Sequence, residues 1–337
     1  MFGALLTPLF RIGALKYGFV DLPGLHKAHS DPIPLLGGLA LFTSMLIASL
    51  IYLPLNGKLT SVVIAAIVII ITGLVDDFFT LKPLVKLAGQ LGAASIMVFN
   101  NVGYLMPLIE LLGRFYFPGF VTMLGMVFFI VLMINAFNLI DGMDGLSAGV
   151  AALMFLGMAI KTVVSGGSTN ILTLQLIGFG ACIGFLPFNF YPAKIFMGDT
   201  GSMLLGFLLS TTFLFTISAE QFNSALVLGS LYIFAYPLLD VAFAIYRRIR
   251  GQCSILKADR CHIHHLIRGL GFSVRKTIIV IYAINILFIA AGLAMILLKL
   301  DAVIILIIGI FTALEAVLVI RKLVHMGVGQ GKINLGI

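Results

Sequence analysis

Long apolar runs separated by short polar loops dominate this chain. Eleven such segments can be marked, at roughly 2–15, 35–53, 60–75, 83–99, 116–138, 146–164, 171–188, 202–219, 224–246, 277–298 and 302–320. Most reach the roughly 17–25 residues that a helix needs to cross the hydrocarbon core of a bilayer. The runs are continuous rather than alternating, which predicts α-helices and excludes a β-barrel built from short alternating strands. The expected fold is an all-α polytopic membrane protein, one integral membrane domain over residues 1–337 with a bundle of about 11 transmembrane helices. The first segment is short and contains Arg11, so it reads as a partial span or an interfacial helix. A cleavable signal would carry its charge before the apolar start rather than after it.

Composition supports the membrane reading. The chain is 61% hydrophobic and 10% charged, whereas soluble domains carry about 25% charged residues. Cys182, Cys253 and Cys261 make no disulfide framework, and without Trp any aromatic belt rests on Tyr and Phe. A net charge of +8 could suit nucleic acid, but the loops are too short for a basic binding module. Its distribution is more informative. If loops alternate sides, sixteen of the 21 Lys and Arg fall on one side and only Lys58, Arg114, Lys161 and Lys299 on the other, with Arg11 inside the first segment. The rule that cytoplasmic loops carry the cations places the first side in the cytoplasm and the N-terminus outside. Every polar motif below lies on that richer side.

Four polar groups in NAFNLIDGMDG, namely Asn135, Asn138, Asp141 and Asp144, recur every three residues. They close a run of 26 residues, Phe115 to Ile140, that has no formal charge. Such groups are costly in hydrocarbon and need a function or water nearby. In a continuous helix a three-residue step drifts by about 60° each time, so Gly142 and Gly145 point instead to a helix end followed by a tight loop. The asparagines would line the last turn and the aspartates project from the loop. Interhelical amide packing and simple solvation are the plainer alternatives.

Asp76-Asp77 ends the third segment, with Lys82 and Lys86 four residues apart beyond it. Carboxylates at a helix C-terminus are locally unfavourable, and paired acids beside lysines suit a metal-phosphate site. Before the second segment stand Lys27, His29 and the pair Gly37-Gly38, readable as a stiff linker or as an anion site that the backbone can approach closely. Asn189 follows Pro187, and Gly198-Asp199-Thr200-Gly201 precedes the eighth segment. Asp199 is either an N-cap turn or a Mg²⁺ ligand, since that ion takes one or two protein carboxylates and leaves the rest to water and phosphate. Phe196 is a candidate platform for a base. Asp240, seven residues before Arg247, reads as a structural partner of the basic loop.

That loop holds eight basic residues from Arg247 to Lys276, together with Cys253, Cys261, His262, His264 and His265. Anionic lipid headgroups would suit its charge. Its Cys and His spacings match no usual structural zinc pattern closely. Arg260 and the histidines binding a pyrophosphate accounts for the same residues without a second metal. Residues 100–117 receive no chemistry.

DDFF at 76, NAFNLIDGMDGL at 135, GFLPFN at 184, FMGDTGS at 196 and HIHHL at 262, taken together, resemble the polyprenyl-phosphate N-acetylhexosamine-1-phosphate transferases. The resemblance covers nearly the whole chain, in motif order. The HIHH form is similar to the branch that uses UDP-GlcNAc and undecaprenyl phosphate to begin O-antigen, common-antigen or teichoic acid synthesis. The muramoyl-pentapeptide branch has three consecutive histidines, a run that Ile263 interrupts here. The resemblance implies Mg²⁺, or Mn²⁺ in its place, on Asp199 with Asn138. It implies that Asp144 hydrogen-bonds the uracil, that Phe196 stacks on it, and that Asp141 and Asn189 line the same pocket. Lys27, Lys86, His262, His264, His265 and Arg260 would face phosphates or sugar, with Asp76-Asp77 near the attacking lipid phosphate. It further implies a bacterial inner membrane, membrane lipid as surroundings and a homodimer. Positioning and charge neutralisation are favoured over a covalent aspartyl intermediate. UDP-GalNAc is the alternative sugar donor, and a secondary transporter is the rival class; transport sites lie near the bilayer midplane, whereas these ionisable residues gather at one set of helix ends.

Overall fold

The computed structural model describes residues 1–22, 31–54, 56–113, 118–219, 224–250, 262–301, 303–312 and 315. The chain divides into two units, Met1–Phe222 and Asn223–Ile337.

In the first unit the helices are α1 (Phe2–Tyr17), α2 (Gly37–Tyr52), α3 (Gly57–Phe79), α4 (Pro83–Asn100), α5 (Val102–Gly113), α6 (Gly119–Ile140), α7 (Leu146–Val164), α8 (Thr169–Asn189) and α9 (Gly198–Ala219). The chain sets their ends locally. The Asn56 side chain accepts the Leu59 N–H at 3.0 Å to cap α3, Pro83 opens α4 where its missing N–H costs nothing, and Gly18 closes α1 in the left-handed conformation. The all-helical expectation needs one small correction. Strands β1 (Val20–Asp21) and β2 (Ile33–Pro34) pair antiparallel, Val20 with Pro34 and Asp21 with Ile33.

α9 is the central column of this unit. The whole of its apolar window is buried, and α2, α3, α5, α6, α7 and α8 all pack on it. Glycines permit the closest approaches. A Cβ on Gly206 would lie 2.5 Å from the Met133 carbonyl oxygen of α6, and one on Gly73 of α3 would collide with the Thr200 backbone. Some hydroxyls along α9 donate within the helix, as where Ser210 donates to the Gly206 carbonyl at 2.8 Å and Thr216 to that of Thr212 at 2.6 Å.

The second unit contains α10 (Ser224–Ile233), α11 (Ala235–Arg250), α12 (Ile263–Gly269), α13 (Val274–Leu297) and α14 (Val303–Thr312). Ala225, Met295 and Ile305 form one of its buried clusters, with Leu228, Tyr232, Leu300 and Ile308 packed around them.

Among the described residues six helices are long and apolar enough to span a membrane, namely α3, α6, α7, α8, α9 and α13, or eight spans if each of two bent pairs counts as one. The protein is therefore a multi-pass membrane protein. This count is below the expected 11 for physical reasons. α1 and α2 have 16 residues each, and α14 is described only over a short stretch. α4 and α5 bend by 83° at Asn101, and α10 and α11 by 71° at Phe234. The buried Asn101 side chain donates to Ser61 Oγ and to the Met97 carbonyl, both at 2.7 Å, so the bend is hydrogen-bonded. At the second bend Pro237 stands in the first turn of the new helix, where it removes no helical bond.

The α6–α9 approach leaves no room for a side chain. Gly206→Val is expected to lower the melting temperature in detergent, with a loss of about 1–3 kcal/mol; a variant as stable as the wild type would contradict the backbone contact described.

Candidate active site

The helix ends at one end of the first unit bring the polar groups together. α3 supplies Asp76 and Asp77 in its last turn, α4 supplies Lys86 in its first turn, α6 supplies Asn138 in its last, and α9 supplies Asp199 in its first. The two adjacent aspartates do different things. Asp77 turns both oxygens to the start of α9: Oδ1 accepts the Asp199 N–H at 2.7 Å, and Oδ2 accepts the Thr200 hydroxyl at 2.6 Å and the Thr200 N–H at 3.2 Å. It is an N-cap delivered by another helix, with its negative charge at the positive end of the α9 dipole. Gly198 has φ +66, and a Cβ there would lie 2.6 Å from Asp77 Oδ2, so no other residue fits that position without strain.

Asp76 closes the turn after α3, where Oδ1 accepts the Leu81 N–H at 2.7 Å, and holds the Lys86 ammonium with Oδ2 at 2.8 Å. The same ammonium donates to Asn138 Oδ1 at 3.0 Å and to Asp199 Oδ2. Asn138 in turn donates to Asp199 Oδ1 at 2.6 Å and to Ser202 Oγ at 3.1 Å. Three oxygens from three different helices thus surround one cation.

α6 ends at Ile140, and residues 141–145 form the loop expected from Gly142 and Gly145. The half-buried carboxylate of Asp141 has no hydrogen-bond partner among the described residues. Burial, followed by the charges of Asp199, Asp77 and Asp144, raises it well above the usual carboxylate range. Asp144 Oδ2 accepts the Ala193 N–H at 3.0 Å. Asn189 is buried and ties two loops, accepting the Gly145 N–H and donating to the Ile195 carbonyl, both at 3.0 Å. Phe196 is half-buried, its backbone fixed by a 2.8 Å bond to the Pro34 carbonyl and by the Gly37 N–H at 3.0 Å. The Gly37-Gly38 pair therefore serves close approach to the 196–201 backbone rather than to a ligand; a Cβ on Gly38 would strike the Gly201 nitrogen.

Asn135 takes the interhelical role, donating to Gln90 Oε1 at 2.7 Å and to the Val131 carbonyl at 2.8 Å. Gln90 and Ser202 were not singled out in the sequence. Gln90 stands four residues after Lys86 on the same helix face, an amide within an apolar run, which is the signal the sequence offers for it.

In the second unit Asp240 performs the structural role expected of it. Its Oδ2 lies 2.7 Å from His262 Nδ1 and its Oδ1 accepts the Ile263 N–H at 2.8 Å, at the start of α12. The His262 and His264 rings stack at 5.8 Å, and His265 lies 4.2 Å from His264. His264 is fully buried with neither ring nitrogen hydrogen-bonded among the described residues. Burial and the neighbouring His265 push its pKa down to about 3. Lys27, Arg260, Cys253 and Cys261 lie outside the described residues. Among the described residues no three His, Cys, Asp or Glu side chains converge on a metal position.

The first unit thus gathers carboxylates, an amide and a lysine at one end of a helical membrane bundle. Residues 59–217 match the pattern of Glycosyl transferase family 4. The chain is 36% identical over 287 residues to a Bacillus subtilis protein named as a probable undecaprenyl-phosphate N-acetylglucosaminyl 1-phosphate transferase, covering 84% of this chain and 79% of that protein. It is 35% identical over 304 residues to the decaprenyl-phosphate N-acetylglucosaminephosphotransferase of Mycolicibacterium smegmatis, covering 82% and 75%. It is 31% identical over 298 residues to the undecaprenyl-phosphate alpha-N-acetylglucosaminyl 1-phosphate transferase of Salmonella typhi, covering 83% and 77%. The chain belongs to glycosyl transferase family 4.

Two outcomes follow from this geometry. Asp77→Ala is expected to cost about 0.5–2 kcal/mol and to speed amide exchange at Asp199 and Thr200, with Asp77→Asn milder; unchanged exchange would refute the cap. Because His264 is lowered from 6.5 to about 3, the unfolded chain takes up that proton first. Its contribution to stability is complete above about pH 6.5 and declines as pH falls toward 3. His264→Leu should flatten this part of the stability–pH curve, measured by thermal melts between pH 4 and 8.

Proposed function

We propose that the protein transfers GlcNAc-1-phosphate from UDP-GlcNAc to undecaprenyl phosphate, giving undecaprenyl-pyrophosphoryl-GlcNAc and UMP, as the first membrane step of a cell-surface polysaccharide. The observation that carries this reading is the ring of Asp76, Asn138 and Asp199 around Lys86, with the unpartnered Asp141 carboxylate beside it, in a chain of this family. Such a cluster is built to receive a cation and phosphates. The printed names of the relatives supply the substrate class.

The residues present fit a divalent ion. Oxygen donors from Asp199 and Asn138 suit Mg²⁺ or Mn²⁺, and the Asp141 carboxylate beside them has no hydrogen-bond partner among the described residues. When bound, such an ion offsets phosphate charge. The chain's own groups do the rest. A lipid phosphate oxygen forms a bond to the β-phosphorus of UDP-GlcNAc as the bond from that phosphorus to the bridging oxygen breaks, and the electron pair leaves with UMP. Phosphate monoesters have a second pKa of about 6, so the nucleophile is already largely ionised. Lys86 neutralises and positions phosphate oxygens, Asp76 holds Lys86, and Asp77 holds the α9 end that presents Asp199. Asp144 and Phe196 are assigned to the uracil.

The same proposal places this end of the bundle at the cytoplasmic face of a bacterial inner membrane, with the N-terminus outside and about 11 segments crossing or entering the bilayer. The sixteen-to-four distribution of cations supports that orientation.

UMP release should require undecaprenyl phosphate and Mg²⁺ together, and in a panel of UDP-sugars UDP-GlcNAc should be the best donor. Asp199→Ala and Lys86→Met are expected to lower the rate on the order of 100-fold or more in variants whose melting temperature is retained. Full activity in either, or preference for UDP-GalNAc, would overturn the corresponding part of the assignment.

A further inference from the structure

The end of the first unit opposite the acidic cluster holds a second site that the proposed reaction does not use. A cavity of about 430 Å³ opens there, bounded by the residues after α2, the start of α3, Tyr104 on α5, the start of α8 and Phe215 near the end of α9. Lys58 lines it, eighteen residues before Asp76 on α3 and so about 27 Å from the acidic cluster along the helix.

The Lys58 ammonium lies 3.2 Å from the ring centre of Tyr104 and 4.2 Å from that of Phe215. The two rings meet edge to face at 5.2 Å and hold the charge in place, yet aromatic faces satisfy none of its N–H donors as an anion would. No carboxylate lines the cavity, and Lys58 has no ion-pair partner among the described residues. Asn56, Ser168 and Asn170 add neutral polar groups around it. Away from Lys58 the wall becomes apolar. Leu59, Val62 and Leu174 line this cavity and also a second, apolar one of about 40 Å³ that continues toward Phe155 and Leu208.

A fixed cation at a helix end, opening onto an apolar crevice between membrane helices, matches an amphiphile with a negative head and an alkyl tail. A neutral lipid would leave the cation uncompensated, and a soluble anion would make no use of the crevice. We propose that this cavity binds an anionic phospholipid, its phosphate on Lys58 and one acyl chain along Leu59, Val62 and Leu174. The site is independent of the reaction at the other end.

The test is native mass spectrometry of the full chain, delipidated in detergent and titrated with phosphatidylglycerol, phosphatidylcholine or inorganic phosphate. One phosphatidylglycerol should be retained per chain in preference to phosphatidylcholine, and inorganic phosphate should not displace it. Lys58→Met should weaken retention about tenfold, the factor expected for one charge-assisted hydrogen bond, and Lys58→Arg should restore most of it. Asn170→Asp puts a carboxylate on the exposed rim and tests the same charge logic without touching Lys58; it too should weaken retention. Equal retention of the two lipids, displacement by phosphate at equal concentration, or undiminished retention in folded Lys58→Met or Asn170→Asp protein would overturn the proposal.

Discussion

The cap that Asp77 places on α9 is the interaction from which the rest of the acidic site follows. The apolar length of α9 is buried and most helices of the first unit pack on it, while its first N–H groups, at a half-buried end, need partners that the helix itself does not offer. Asp77 supplies them from α3, and in doing so fixes where Asp199 begins its helix. Gly198, Gly73 and Gly38 are part of the same contact, because any side chain at those positions would push α9 off its cap or off its neighbours. A carboxylate that is unfavourable at the end of α3 becomes favourable as soon as the start of α9 stands against it. The cost on one helix is met by the gain on the other.

Charge balance governs what is built on that frame. Among the described residues Asp76 and Asp199 meet one ammonium, that of Lys86, and Asp199, Asp77 and Asp144 act on Asp141. Asp77 spends its charge on the helix end, Asp76 and Asp199 share the lysine, and Asp144 accepts a backbone N–H. Asp141 has no hydrogen-bond partner among the described residues, and burial first, then neighbours of its own sign, raise its carboxyl.

Much of this was legible in the sequence, and the parts that were not share a cause. Continuous apolar runs mark helices because hydrocarbon leaves the backbone no other way to satisfy its hydrogen bonds, and Gly142 and Gly145 mark the loop after α6 because the four polar residues could not share one helical face. The bends were not legible. Apolar content continues through Phe234, and nothing after the fourth segment shows that a helix resumes at Val102 at 83° to α4; Asn101 is held at that bend by the Met97 carbonyl and by Ser61, forty residues away. The division of labour within Asp76-Asp77 was hidden for the same reason. Adjacent residues on a helix point about 100° apart, so one can reach Lys86 and the other α9, but only the packed positions of α4 and α9 say which. Asn135 and Asn138 repeat the lesson, since one faces Gln90 and the other Asp199.

The position of the cluster bears on the reaction proposed for it. Its members come from the last turns of α3 and α6, the first turns of α4 and α9 and a five-residue loop, so the site lies where helices end rather than midway along them. A donor that is a soluble, multiply charged nucleotide and an acceptor whose phosphate is anchored by a long apolar chain can meet only at such a level. One approaches from water and the other from the bilayer, and neither charge needs to enter hydrocarbon. A transport site would have to present its polar groups to both sides, and no comparable acidic cluster lies at the other end of the first unit among the described residues. There the cavity is lined instead by Lys58, two aromatic rings, the neutral polar Asn56, Ser168 and Asn170, and apolar side chains, a surface suited to holding a membrane lipid in place rather than to handing a substrate across.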